Sequence, residues 1–271
     1  MLQMSSAPAK AAPMLKVLVA DDSASMHQIF GTFAEGAPIP FEVVSAHSGD
    51  QCLALLRQNF CNLAFIDVSM PGMSGMEAIG GARYEGNKTF VTLMSSTASE
   101  KRFQLARHLK VYEFLVKPFG AQEVYRIIST YDRMTVPTRA LIVDDSATVR
   151  RLISKVVSGS IFNVDIAEAG DGTTALELCD KEQFNVIVLD CNMPGLDGLS
   201  TLQRMLAHNR NARVIMMTAE RNEERRRKAL DLGATAFLYK PFYPADVDRE
   251  LHAVFNLKMP MLASVETASL V

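Results

Sequence analysis

The chain carries no excess of charge of either sign: 28 Lys and Arg stand against 30 Asp and Glu, a net charge of −2 at pH 7. With no basic surplus to draw phosphate backbones, sequence-wide DNA or RNA binding is not expected. Cysteine is scarce. Cys52, Cys61, Cys179 and Cys191 form no Cys-x-x-Cys pair. They lie too far apart for a compact zinc site, and a reducing compartment is the simplest reading. Long apolar runs are missing as well. The run from Leu15 to Ala20 stops at Asp21, and no basic segment leads into a long hydrophobic one. Neither a signal peptide nor a membrane span is expected, which places the protein in the cytoplasm. With 15 Gly and 11 Pro, 48% hydrophobic and 21% charged residues, the composition is that of a globular chain rather than a disordered or collagen-like one. At one domain per roughly 100 to 200 residues, this length allows two modest domains or one large one.

What the sequence does contain is a long internal repeat. Val19-Ala20-Asp21-Asp22-Ser23-Ala24 returns as Ile142-Val143-Asp144-Asp145-Ser146-Ala147, and Asp67-Val68-Ser69-Met70-Pro71-Gly72 returns as Asp190-Cys191-Asn192-Met193-Pro194-Gly195. Asp22 and Asp145 are 123 positions apart, as are Asp67 and Asp190; the same shift carries Ser95 to Thr218 and Lys117-Pro118-Phe119 to Lys240-Pro241-Phe242. Four separated landmarks therefore hold register without a net insertion. A period this long exceeds the roughly 20 to 50 residues of a solenoid unit, so each copy is a whole domain.

Within each copy, short runs rich in Val, Ile and Leu alternate with longer segments of helical period, the rhythm of a βα repeat. In the second copy the runs are 140–143, 163–167, 186–189, 214–217 and 236–239, with helices starting near Ser146, Asp171, Gly198, Asn222 and Tyr243. The unbroken apolar runs suit strands buried on both faces of a parallel sheet, and Ser23 and Ser146 suit helix N-caps. The expected fold is α/β: two flavodoxin-like (βα)5 domains in tandem, each with a five-stranded parallel sheet of order 2-1-3-4-5. The expected boundaries are a disordered tail at 1–14, domains at 15–133 and 139–257, a linker at 134–138 and a C-terminal tail at 258–271.

In such a sheet, ligands and chemistry gather at the carboxyl ends of the strands. Asp21, Asp22, Asp67, Ser95 and Lys117 all fall there, as do Asp144, Asp145, Asp190, Thr218 and Lys240. Three converging carboxylates repel one another unless a cation sits among them or their pKa values rise. A hard, oxygen-seeking ion such as Mg²⁺ suits them. The lysine then serves as a point charge for a phosphoryl oxygen and the hydroxyl as a donor to another. A carboxylate can attack phosphorus to form an acyl phosphate, so the residues imply Mg²⁺-dependent phosphoryl transfer to an aspartate.

This set, with Asp-Asp after strand one, Asp-x-x-Met-Pro-Gly after strand three, Ser or Thr after strand four and Lys-Pro-Phe after strand five, resembles the receiver domain of two-component response regulators in both copies. The resemblance implies that Asp67 and Asp190 are phosphoacceptors fed by a histidine kinase or histidine phosphotransfer protein. It implies one Mg²⁺ per domain, held by Asp22 and Asp145 with Asp21 and Asp144 in support, by the acceptors themselves, and by the main-chain carbonyls of Ser69 and Asn192. Ser95 and Thr218 match the switch hydroxyl, Lys117 and Lys240 the lysine, and Phe114 and Phe237 the aromatic that swings behind the hydroxyl. The Lys-Pro peptides match a bond usually cis in this family. The face formed by the fourth helix, fifth strand and fifth helix is then the one that partners sense.

The copies differ at the positions two residues past the acceptor and two past the hydroxyl, which hold Ser69 and Thr97 in the first but Asn192 and Glu220 in the second. The latter pair resembles single-domain chemotaxis regulators, and unequal phosphoryl lifetimes are the expectation. Ser69 and Asn192 stand where the haloacid dehalogenase-like phosphatases typically carry a second aspartate, which argues against that class. The charge run from Arg221 to Lys228 reads first as a solvated helix face with Glu and Arg at i, i+4 spacing. Its sharper alternative is a binding patch of Arg221, Arg225, Arg226 and Arg227 for a partner protein or a nucleotide second messenger such as cyclic di-GMP. Cys191 is expected to be inert. The five histidines show no ligand spacing.

The expectation is therefore a tandem-receiver response regulator with no output domain, not an enzyme beyond its own phosphorylation and dephosphorylation. It would act through protein contacts, either as a relay member or as a phosphorylation-dependent binding module. Dimerisation is left open. The downstream target is not legible.

Overall fold

The computed structural model describes residues 14–264; apart from Met14, the tail expected at 1–14 lies outside the described residues, as does the end of the expected C-terminal tail. The chain divides into two units, one running through Tyr131 and rejoined by the described residues from Pro260, the other spanning Asp132–Met259.

The first unit contains β1 (Leu15–Ala20), α1 (Ala24–Glu35), β2 (Phe41–Ala46), α2 (Gly49–Arg57), β3 (Leu63–Asp67), α3 (Gly75–Tyr84), β4 (Phe90–Ser95), α4 (Glu100–His108), β5 (Glu113–Val116) and most of α5 (Ala121–Thr135). The second contains β6 (Thr138–Val143), α6 (Ala147–Gly159), β7 (Val164–Ala169), α7 (Gly172–Lys181), β8 (Val186–Asp190), α8 (Gly198–His208), β9 (Arg213–Thr218), α9 (Glu223–Asp231), β10 (Ala236–Tyr239) and α10 (Pro244–Val254). A last turn, α11 (Met261–Ser264), belongs to the first unit.

Both sheets are parallel throughout, with orders β2-β1-β3-β4-β5 and β7-β6-β8-β9-β10, so the doubly wound fold read from the repeat is borne out twice. Helices cover both faces of each sheet, which is why β3 and β8 are buried at every residue and read as unbroken apolar runs. The cores form around these strands, with Leu18, Ile66, Leu93 and Phe114 in the first unit and Leu141, Leu189, Met216 and Ala229 in the second.

Local details depart from the sequence reading in three places. Ser146 caps α6 through Val149 N, but the Ser23 side chain makes no capping bond; its hydroxyl pairs with the Ser25 hydroxyl at 2.7 Å instead. Helix α5 continues to Thr135 and β6 starts at Thr138, leaving Val136 and Pro137 between them where a longer linker, 134–138, was expected. Residues 260–262, placed in a tail by the sequence, are packed against β5 and α4.

Candidate functional site

Strand register builds each site. Ala20 of β1 pairs with Ile66 of β3, so the next residues, Asp21 and Asp67, leave the sheet side by side. Ser95 of β4 pairs with Val116 of β5, which sets Lys117 one residue farther along the same rim. The second sheet repeats this, with Val143 beside Leu189 ahead of Asp144 and Asp190, and Thr218 beside Tyr239 ahead of Lys240. The turn after each acceptor strand needs glycine twice. Gly72 and Gly195 adopt φ of +74° and +79°, a left-handed conformation that side chains disfavour. Gly75 and Gly198, the first residues of α3 and α8, press directly on the acceptor carbonyls.

The side chains then converge. Lys117 Nζ donates to Asp21 Oδ2 at 2.7 Å and to Asp67 Oδ2 at 2.5 Å. Lys240 Nζ lies 2.7 Å from Asp144 Oδ2 and 3.0 Å from Asp190 Oδ1. In each unit the three carboxylates offer oxygens within 4.8 Å of one another, namely Asp21, Asp22 and Asp67, and Asp144, Asp145 and Asp190. Two of each trio are buried, while Asp22 and Asp145 face solvent. Such an all-oxygen donor set, open on one side to water, fits a hard divalent cation better than a soft one. Both Lys-Pro peptides are cis.

The electrostatics follow from this crowding. Burial opposes the charge on Lys117 and Lys240, but hydrogen bonds and attraction from the paired carboxylates outweigh it and hold both ammoniums above the ordinary lysine value. Asp190 is pushed up, chiefly by burial and further by Asp144, and Lys240 does not fully cancel the rise. Cys191, beside it, is pushed up to about 11 by burial and by the Asp190 charge.

The hydroxyls at the ends of β4 and β9 are both turned into the loops that follow. Ser95 Oγ donates to the Thr97 carbonyl at 2.9 Å, and Thr218 Oγ1 donates to the Glu220 carbonyl at 3.3 Å. Ser69 N–H donates to Asp67 Oδ1 at 3.1 Å. Phe114 is fully buried and meets Phe103 edge-on at 5.0 Å, whereas Phe237 is half-buried with the Arg226 guanidinium 5.6 Å from its ring centre.

Two features escaped the sequence reading. From α4, Arg102 Nη1 donates to Ser95 Oγ at 2.9 Å and also reaches Thr97. Its counterpart 123 positions later, Arg225, donates instead to Asn192 Oδ1 at 2.8 Å and approaches Glu220 at 3.4 Å. The repeat offset itself would have paired these arginines. Second, His27 and His47, which show no ligand spacing in sequence, meet with ring centres 4.2 Å apart and planes tilted by 58°, and His27 Nε2 bonds the Asp21 carbonyl at 2.8 Å. Arg150 takes the place of His27 in the second unit, donating to the Asp144 carbonyl at 2.7 Å. The four arginines read as one patch have separate surroundings: Arg221 lies over Tyr239, Arg225 turns into the acceptor site, Arg226 covers Phe237, and Arg227 is exposed. Among the described residues, no helix is long and apolar enough to cross a membrane.

Comparison with known proteins agrees with this geometry. The response regulator receiver domain profile matches residues 17–129 and again 140–252. Chemotaxis protein CheY-3 of Vibrio cholerae is 35% identical over 120 residues, 44% of this chain and 92% of its own length. The protein-glutamate methylesterase/protein-glutamine glutaminase of Nitrobacter hamburgensis is 40% identical over 131 residues, 48% of this chain but 33% of that protein. A solved two-component system response regulator/GGDEF domain protein superposes with a TM-score of 0.64 at 18% identity, covering 89% of this chain and 98% of the other, a likeness of fold.

Proposed function

The chain belongs to the response regulator receiver domain family, and we propose that both of its receivers are working phosphoacceptors, Asp67 and Asp190, that pass a signal on through protein contacts. The observation that carries this reading is the double assembly of one constellation, three carboxylates, a hydroxyl and a bridging lysine, with no side-chain type lost from either copy.

In the proposed reaction an oxygen of the acceptor carboxylate attacks phosphorus of a phosphohistidine on a histidine kinase or phosphotransfer protein. The new O–P bond forms as the P–N bond breaks, and the electron pair leaves with the imidazole nitrogen, which takes a proton from water. Bound Mg²⁺ would supply positive charge to the phosphoryl oxygens, and Asp22 and Asp145, with the buried carboxylates and the main-chain carbonyls of Ser69 and Asn192, are the groups to hold it. Lys117 and Lys240 keep the acceptor oriented before transfer and offer the ammonium to a phosphoryl oxygen afterwards. Ser95 and Thr218 exchange their loop carbonyl partners for the phosphoryl group. Phe114 and Phe237, next to those strands, follow the movement of the hydroxyl and alter the face that partners read.

Phosphorylation with a small-molecule donor and Mg²⁺, resolved on a phosphate-affinity gel, tests this for wild type, Asp67→Ala, Asp190→Ala and the double variant. Each single variant is expected to keep one base-labile phosphate and the double none. Labelling that survives in the double variant, or that fails in wild type with every donor including a histidine kinase, refutes the proposal.

A further inference from the structure

The two receivers differ most tellingly where the chain returns to the first of them. Pro260 and Leu262 are buried, and Leu262, 2% exposed, joins the core cluster that contains Ala106, Val111 and Phe114. Main-chain bonds anchor the segment at both sides. Met261 N–H donates to Glu113 Oε1 at 2.9 Å, and Arg107 Nη1 donates to the Leu262 carbonyl at 3.3 Å. The Glu113 oxygen that takes Met261 also takes Phe114 N–H at 3.1 Å, while the other oxygen meets Arg126 at 3.1 Å.

Glu113 is 3% exposed, and a carboxylate buried in a strand is costly unless its partners repay it. The fold does not require it. At the shift of 123 the second receiver has Ala236 in place of Glu113 and Leu230 in place of Arg107, and it builds the same strand and helix. Both polar anchors of the returning segment are thus particular to the copy on which that segment sits. A contact as small as this, with Pro260 and Leu262 buried and main-chain hydrogen bonds to Glu113 and Arg107, gains from tethering in the same chain, which raises its effective concentration.

We propose that residues 260–262 are an intramolecular ligand of the α4–β5 face of the first receiver, built around Glu113 and Arg107, which keeps that face covered until a partner displaces it. The docking stands on its own geometry; that the covered face is one for partners rests on the function proposed above. Because Glu113 Oε1 is shared between Met261 and Phe114, release of the segment leaves that oxygen to the Phe114 N–H alone.

Hydrogen–deuterium exchange on the full chain tests this without any phosphoryl donor. Leu262→Asp and Glu113→Ala are each expected to speed exchange at Met261 and across 100–116 by about tenfold or more, leaving 223–239 of the second receiver and β4 of the first unchanged. Glu113→Ala introduces the residue that the second copy already tolerates, which guards against a folding defect, and unchanged β4 exchange checks it. Unchanged exchange at 100–116 in both variants overturns the docking. If Asp67 still labels on the phosphate-affinity gel, that failure leaves the phosphoacceptor reading intact; if exchange shifts as expected but labelling fails, only the phosphoacceptor reading falls.

Discussion

Replacing Gly75 or Gly198 by alanine tests the packing that brings the third helix of each unit onto its acceptor strand. Gly75 opens α3 behind a capping box of Ser74 and Glu77, and its N–H donates to the Val68 carbonyl at 3.3 Å. A Cβ there would fall inside the Asp67 carbonyl oxygen, 2.7 Å from Ile66 Cγ2 and 3.0 Å from the Asp67 carbonyl carbon. At Gly198 it would press on the Asp190 carbonyl oxygen and lie 2.7 Å from Cys191 Cα. The obstruction is backbone, so no rotamer change relieves it and the helix must move. Overpacking of this kind costs about 1–3 kcal/mol, and a backbone obstacle belongs at the upper end. Alanine's better helix propensity returns roughly 0.5–1 kcal/mol, leaving a net loss of about 2 kcal/mol in each case. Gly159 is the control, since a Cβ there meets nothing within 4 Å; Gly159→Ala is expected to be neutral or stabilising by up to about 1 kcal/mol. Urea denaturation of the metal-free chain, followed by circular dichroism and by exchange in each unit, reads all three. Gly75→Ala and Gly198→Ala within about 0.5 kcal/mol of wild type would refute the close approach of helix and acceptor strand.

Lys240→Ala removes the ammonium shared by Asp144 and Asp190, both almost fully buried, and is expected to cost the metal-free second unit about 3 kcal/mol and to tighten Mg²⁺ binding; isothermal titration showing weaker Mg²⁺ binding would contradict this. Because native Asp190 is raised above its unfolded value, its contribution is complete below the ordinary carboxylate pKa and is lost as pH rises through the raised value, so metal-free stability should fall with pH just above that ordinary value, and a rise there in Asp190→Asn-corrected melts would count against it. Phosphoryl half-lives at Asp67 and Asp190 are expected to differ, since Arg102 holds Ser95 in one site and Arg225 holds Asn192 in the other; equal half-lives in the Asp190→Ala and Asp67→Ala variants would refute this. Cys191, Cys61 and Cys179 are held up to about 11 and Cys52 to about 12, each chiefly by burial, so at pH 7 the thiolate fraction is on the order of one in ten thousand or less. Iodoacetamide should therefore spare the native chain and label it in urea, and rapid native labelling of Cys191 would contradict the inert reading.

Fold and site differ in how far the sequence made them readable. The central buried strand announced itself: β8 begins where its apolar run begins, because a strand covered on both faces leaves no polar position to blur the limit. The edge strand β7 ran two residues past its expected end, since Glu168 faces outward to Arg150 and breaks the apolar pattern. Asp21, Asp67 and Lys117 could be grouped because each ends a strand of one parallel sheet, and topology alone sends those ends to one rim. Arg102 could not, because its reach to Ser95 depends on the pitch of α4 over the loop rather than on a strand end. The return of Leu262 to the first unit was equally hidden. A lone leucine in a short, mixed segment has no period, and its meaning lies in Glu113, far away in sequence.

The most direct test of two live acceptor sites is a count of bound acyl-phosphate mimics. With Mg²⁺ and beryllofluoride, fluorine NMR of the full chain should show two bound species, with Asp67→Asn removing one and Asp190→Asn the other, and with both lost on chelation of the metal. A single bound species that either substitution abolishes, or none at all in the presence of Mg²⁺, would contradict the claim that each receiver holds a complete phosphoacceptor site.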